Sequence, residues 1–269
     1  MDELAHCRDI VVVGASAGGP EAIAAVIAQL PASFPASIFV VQHMSPTHVS
    51  RLPELLTRRG ALPAEYPDHG QGIERGKIYV APADTHLQLR PGAITVTRGA
   101  KENSHRPSID ALFRSAARSY GPRVIGVVLS GYLDGGSAGL LSVKARGGVT
   151  IVQDPSEAQV PDMPRNALER ARPDHVVTLA QLPTLLCELV VQPAPDSVGL
   201  TFSLESVLDE HSEETERALW SGVRALQESA SLVARAAAHS TGELRERLYE
   251  RRGVLLQDAR LVREILIGR

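Results

Sequence analysis

The chain is poor in the residues that mark several protein classes. Among 269 residues there are two cysteines, Cys7 and Cys187, one tryptophan and only 4% aromatic side chains. Two thiols are too few and too far apart for a zinc cluster, and both read as plain thiols. No apolar run is long enough to span a bilayer, and Met1-Asp2-Glu3-Leu4 has neither the basic nor the apolar part of a signal peptide. A soluble cytoplasmic protein is the expectation. A formal net charge of -3 gives no reason to expect nucleic acid or an anionic membrane as partner. The glycines following the first apolar run are not spaced as GxGxxG, which disfavours a dinucleotide site.

What is present is a set of short β-branched runs. Ile10-Val11-Val12-Val13 reads as a strand buried on both faces, as in a parallel sheet. Gly14-Ala15-Ser16-Ala17-Gly18-Gly19-Pro20 follows, a tight turn with a proline suited to the first turn of a helix. Such a turn sets Ser16 at the sheet's carboxyl edge, where open α/β sheets keep their ligands. The next backbone N–H groups, beginning with Ala17, can meet an anion there. A small residue that merely fits the turn remains the plainer reading of Ser16. Ser37 to Gln42 is a second buried strand, and His43 stands at its end, on the same edge if the two strands are parallel neighbours. A satisfied loop histidine is the plainer reading there.

Further along, 63–76 reads as loop, and Lys77 to Ala81, His86 to Leu89 and Ala93 to Thr97 as short extended segments. Arg90-Pro91-Gly92 turns the last two into a β-hairpin, expected at the edge of the sheet. A helix opens at 104–108, and 124–129 is the strongest strand. It runs into Ser130-Gly131-Tyr132-Leu133-Asp134-Gly135-Gly136 and another helix, after which strands at 149–153 and 175–178 flank a helix near 165–172. Strands alternating with helices over about 190 residues predict a doubly wound, mostly parallel α/β domain with an inserted β-hairpin. Three strand ends would bring Ser16, His43 and Asp134 to one edge, the three groups that make a hydroxyl nucleophilic near neutral pH.

Gly14-Ala15-Ser16-Ala17-Gly18-Gly19, Gln42-His43-Met44, Ala81-Pro82-Ala83-Asp84-Thr85-His86, the block Ser104 to Phe113 and Met163-Pro164-Arg165-Asn166-Ala167 resemble the catalytic domain of the CheB chemoreceptor methylesterases. The resemblance covers roughly residues 8 to 191. It implies hydrolysis of glutamyl methyl esters on the cytoplasmic helices of chemoreceptors, with glutamine deamidation in many members, and neither cofactor nor metal. It makes Ser16 the nucleophile and His43 the general base, with backbone N–H groups around Tyr132 holding the oxyanion. The family usually carries a receiver domain ahead of the esterase. A first strand at Ile10 leaves no room for one, so a stand-alone form is expected. An ungapped match of the family's Leu-Thr-Gly-Met-Gly-x-Asp-Gly pattern to the stretch from Leu129 puts Gly135 at the position of the orienting Asp. Either Asp134 takes that role after a shift of the loop, or the carboxylate is absent and the chain is a catalytically impaired binding module.

Residues 1–194 are taken as the esterase-like domain and 195–269 as a C-terminal helical hairpin. Apolar or small residues recur at Leu204, Leu208, Thr215, Leu219, Val223, Leu226, Ala230, Val233 and Ala237. Ser240-Thr241-Gly242-Glu243 is a helix stop with a capping box, and a second helix carries Leu244, Leu248, Leu255, Ala259, Val262 and Leu266. Packing on itself or on the esterase-like domain, self-association and docking on a partner helix bundle are all open to such a hairpin.

Overall fold

The computed structural model describes residues 7–44, 50–102, 105–195, 226, 229–238 and 240–267. By contacts the chain divides into two compact units, 1–198 and 199–269.

The first unit is built on a seven-stranded sheet in the order β3-β4-β2-β1-β7-β8-β9, comprising β1 (Ile10–Ala15), β2 (Ser37–Gln42), β3 (Ala64–Glu65), β4 (Ile78–Val80), β7 (Val124–Val128), β8 (Val149–Gln153) and β9 (His175–Val177). Every pairing in it is parallel. The apolar runs explain the central position of β1: its six residues are all buried because both faces of the sheet are covered. Val11, Val13 and Ala15 point into one core, with α1 (Gly19–Ile27), α2 (Leu52–Arg59) and α6 (Leu182–Val190). Ile10 and Val12 point into the other, with α3 (Ile109–Tyr120), α4 (Ser137–Ala145) and α5 (Asp162–Ala171). The alternation follows from the two-residue period of a strand.

Two details depart from the sequence reading. The segment 63–76 contributes the two-residue strand β3, too short to carry a periodic signal. The hairpin of β5 (His86–Arg90) and β6 (Ala93–Thr97) is present, but as a separate two-stranded sheet. It is held by α3, not by the edge of the large sheet. Leu89 N–H donates to Ser115 Oγ (3.0 Å), Ser119 Oγ to Leu89 O (3.0 Å) and Tyr120 Oη to Arg90 O (2.9 Å). Leu87, Leu89 and Ile94 are buried in the second core.

In the second unit residues 229–238 (α7) are helical, and Gly242, at φ 63°, opens α8 (Gly242–Ile267). Of the apolar positions expected there, Ala230, Ala237, Leu255 and Ala259 are buried. The expected apolar positions Leu204, Leu208, Thr215, Leu219 and Val223 lie outside the described residues.

Candidate active site

The parallel register pairs Ala15 with Gln42, so the next residues, Ser16 and His43, leave adjacent strands side by side at the carboxyl edge. His43 N–H donates to Ala15 O (2.9 Å), which extends the ladder one step beyond the strands. On the other side of β1, Ser16 N–H donates to Ser130 O (2.9 Å), tying the nucleophile candidate to the loop after β7. That loop comes very close: a Cβ on Gly131 would lie 2.6 Å from Ser16 Cβ and 2.2 Å from Met163 Sδ, so only glycine fits. Ser130 is a buried junction, its Oγ donating to Ala17 O (2.8 Å) and accepting from Val160 N–H (2.9 Å). Chain order reverses about β1, since β2 and β4 lie on one side and β7 and β8 on the other, and such switch points open a crevice at the strands' carboxyl ends.

Four groups lie at this edge of the sheet. Ser16 is half-buried and its Oγ makes no hydrogen bond among the described residues. Nε2 of His43 is buried and has no partner either. Catalytic hydrogen bonds are often long before substrate arrives and tighten in the complex. The N–H groups of Ala17 and Tyr132 have no hydrogen-bond partner among the described residues, whereas Gly131 N–H is taken by Val160 O (3.0 Å). Ala17 and Tyr132 therefore offer donors on the two loops that flank Ser16.

Burial lowers the His43 pKa from 6.5 to about 3, with the charge of His105 adding to the effect. The His105 ring stacks on it, centroids 4.0 Å apart and planes within 9°. His105 comes from the loop before α3, anchored through its neighbour Arg106. Nε and Nη2 of Arg106 donate to Asp84 Oδ1 (3.0 and 2.6 Å), and Arg98 donates to Oδ2 (2.7 Å). The Arg106 guanidinium, with Arg98, holds the Asp84 carboxyl below its ordinary value. A ring kept neutral at pH 7 is in the form a general base requires.

The third triad candidate lies elsewhere. Asp134 Oδ2 accepts from Arg170 Nη1 of α5 at 2.5 Å, and His43 forms no hydrogen bond with Asp134. Gly135 is the residue that faces the ring: a Cβ there would stand 3.0 Å from His43 Cε1 and 3.8 Å from Nδ1. The loop's path explains the difference. Leu133 adopts a left-handed φ of 67°, and its carbonyl accepts from Asn166 Nδ2 of α5 (2.8 Å). Helix α5 thus holds residues 133 and 134 on its own side. A second carboxylate, Asp110, is buried and accepts from Gly139 N–H (2.7 Å) and from Gly136 at the start of α4. Burial raises its pKa in spite of these bonds, and its part is to hold the loop's exit.

Sequence reasoning gave no role to His105, Gln42, Asn166 or Arg170. The blocks around the first three carry the family resemblance, but a ring stack between residues 43 and 105 has no local signal. No group of three or more metal-ligating side chains occurs among the described residues.

A parallel α/β sheet that presents serine and histidine on neighbouring strand ends, with free N–H groups beside the serine, has the layout of a serine-hydrolase domain. The comparisons make this particular. A family model described as CheB methylesterase matches residues 11–186, and the chain belongs to that family. The protein-glutamate methylesterase/protein-glutamine glutaminase 2 of Anaeromyxobacter dehalogenans is 39% identical over 181 residues, 67% of this chain and 53% of that protein. The protein-glutamate methylesterase FrzG of Myxococcus xanthus is 37% identical over 182 residues, 67% of this chain and 54% of that protein. The chain thus spans about half the length of these relatives. The crystal structure of the Thermotoga maritima CheB methylesterase catalytic domain superposes with a TM-score of 0.65 at 34% identity, covering 68% of this chain and 98% of that one.

Proposed function

We propose that this chain is a protein-glutamate methylesterase that hydrolyses glutamyl methyl esters on the cytoplasmic helices of chemoreceptors, in chemotaxis-like signalling in the cytoplasm. One observation carries the reading: Ser16 and the buried, unpartnered Nε2 of His43 stand side by side on adjacent strand ends. Ser16 Oγ attacks the ester carbonyl as His43 Nε2 takes its proton. The oxyanion is held by the N–H groups of Ala17 and Tyr132. Collapse expels methanol, to which His43 returns the proton, and water then hydrolyses the acyl-enzyme by the same steps. A glutamine side chain would follow this route with ammonia as the leaving group, and the names of relatives couple both activities. Asp134 can orient His43 only by exchanging Arg170 for the imidazole.

A second reading, a catalytically impaired module that binds receptors or signalling partners, is favoured by Gly135 facing His43. Methanol release from a methylated receptor fragment separates the two. The esterase reading expects turnover that Ser16→Ala reduces by orders of magnitude, with unchanged circular dichroism. Equal rates for both proteins would remove Ser16 from the mechanism. Binding without methanol release by the wild type would favour the module.

A further inference from the structure

Gln42 ends β2 with its side chain buried, 6% exposed, and folded across the strand ends. Its Nε2 donates to Ser16 O at 2.7 Å and to His43 O at 2.9 Å. One amide thus spends both protons on the carbonyls of the two residues that carry the proposed chemistry. Its Oε1 is buried without a donor. It rests against Gly19, where a Cβ would lie 2.1 Å away. The amide cannot be turned over, because its oxygen would then face two carbonyl oxygens. A buried acceptor without a donor is a standing cost, kept here while the other end of the same group bridges two loops.

We propose that Gln42 is a positioning residue, an amide clamp that sets the separation of Ser16 from His43. The hydrogen bonds of the parallel ladder fix β1 and β2 up to Ala15 and Gln42, and His43 N–H to Ala15 O adds one more rung. Beyond that rung no further strand pairing joins the two segments among the described residues, and α1 begins at Gly19. Gln42 is the side chain that joins the two backbones at the catalytic residues themselves. Asparagine, one methylene shorter, cannot reach both carbonyls, and methionine fills the space with no donor. The proposal rests on the methylesterase reading for its kinetic consequence, not for its geometry.

The test uses the full chain with Gln42→Met and, as a polar alternative of different shape, Gln42→Asn. Methanol release should show kcat lowered about 10- to 100-fold, the scale of a displacement near 1 Å at reacting groups, with KM within about twofold. A structural role alone would lower Tm and leave kcat unchanged. A second readout needs no turnover: the His43 imidazole resonance followed by NMR through a pH titration. With the clamp removed, the ring gains water and should titrate closer to 6.5 than in the wild type. Unchanged kcat and unchanged His43 titration in the folded variants would overturn the proposal. If the wild type releases no methanol, the methylesterase reading fails and the titration alone decides for or against the clamp.

Discussion

Installing a carboxylate beside His43, by Gly135→Asp, should make the site faster. The Gly135 backbone is outside the positive-φ region, so a side chain meets no conformational barrier there. Its Cβ would come within 3.0 Å of His43 Cε1, which requires the ring to yield by a few tenths of an ångström, and 3.8 Å from Nδ1. From that Cβ a carboxylate oxygen can reach Nδ1 at about 2.8 Å. The present ring has a pKa of about 3 against an ordinary 6.5. At about 1.4 kcal/mol per unit, its imidazolium is disfavoured by roughly 5 kcal/mol. A facing carboxylate would recover most of this, and neutralising that partner in serine hydrolases costs up to about 10⁴-fold. Allowing for the tight Cβ, a rise in kcat/KM of about 10²- to 10³-fold is expected. The pH profile carries a second signature. A base with a pKa of about 3 is neutral throughout the neutral range, so the expected wild-type profile has no acidic limb near pH 6. With the pKa raised, the variant's rate should fall as pH drops through 7 to 5. Gly135→Asn supplies the same bulk without charge and should show neither effect. A folded Gly135→Asp protein with wild-type rate and a flat profile would refute the reasoning.

Three further outcomes follow from the same geometry. Asp134→Asn should lower the rate less than about 10-fold while its carboxylate stays with Arg170, an exposed pair worth at most about 1 kcal/mol; a loss near 10⁴-fold would establish Asp134 as a displaced triad member. Folded His43 binds its proton only below about pH 3, against 6.5 in the unfolded chain. Its contribution to stability is therefore full above pH 6.5 and declines by roughly 3–5 kcal/mol as pH falls to 3, so denaturant midpoints should fall less steeply over that window in His43→Gln. Removal of residues 199–269 should leave 1–198 soluble and folded, since that unit has its own two cores; a drop in light-scattering mass larger than the tail would assign the C-terminal helices to self-association.

The large sheet was legible because its central strands are β-branched runs ended by glycine-rich turns. Ser16 and His43 were legible because each follows such a run directly, and parallel pairing does the rest. The hairpin was legible as an element but not in its placement, which depends on Ser115, Ser119 and Tyr120, hydroxyls on one face of a helix that begins later in the chain. Asp134 was the least readable. Its direction is set by a left-handed φ at Leu133, a conformation leucine does not signal, and by Asn166 and Arg170 one helical turn apart on α5, outside the loop's own sequence. The stack of His105 on His43 is similarly hidden, because the Asp84 anchor that supports it comes from a third segment.

The order of Ser16 and its loop partners along the chain has a consequence for synthesis. Ser16 leaves the ribosome before its partners: its N–H waits for Ser130 O, and the loop carrying Ser130 waits for Val160 and Met163. At 5–20 residues per second, about seven to thirty seconds separate the appearance of Ser16 from that of Met163. Until β7 (Val124–Val128) has emerged, β2 is the one neighbour in the sheet that β1 can pair with. A nascent chain therefore exposes the serine long before it can use it, and any ester-hydrolysing activity belongs to the finished sheet alone.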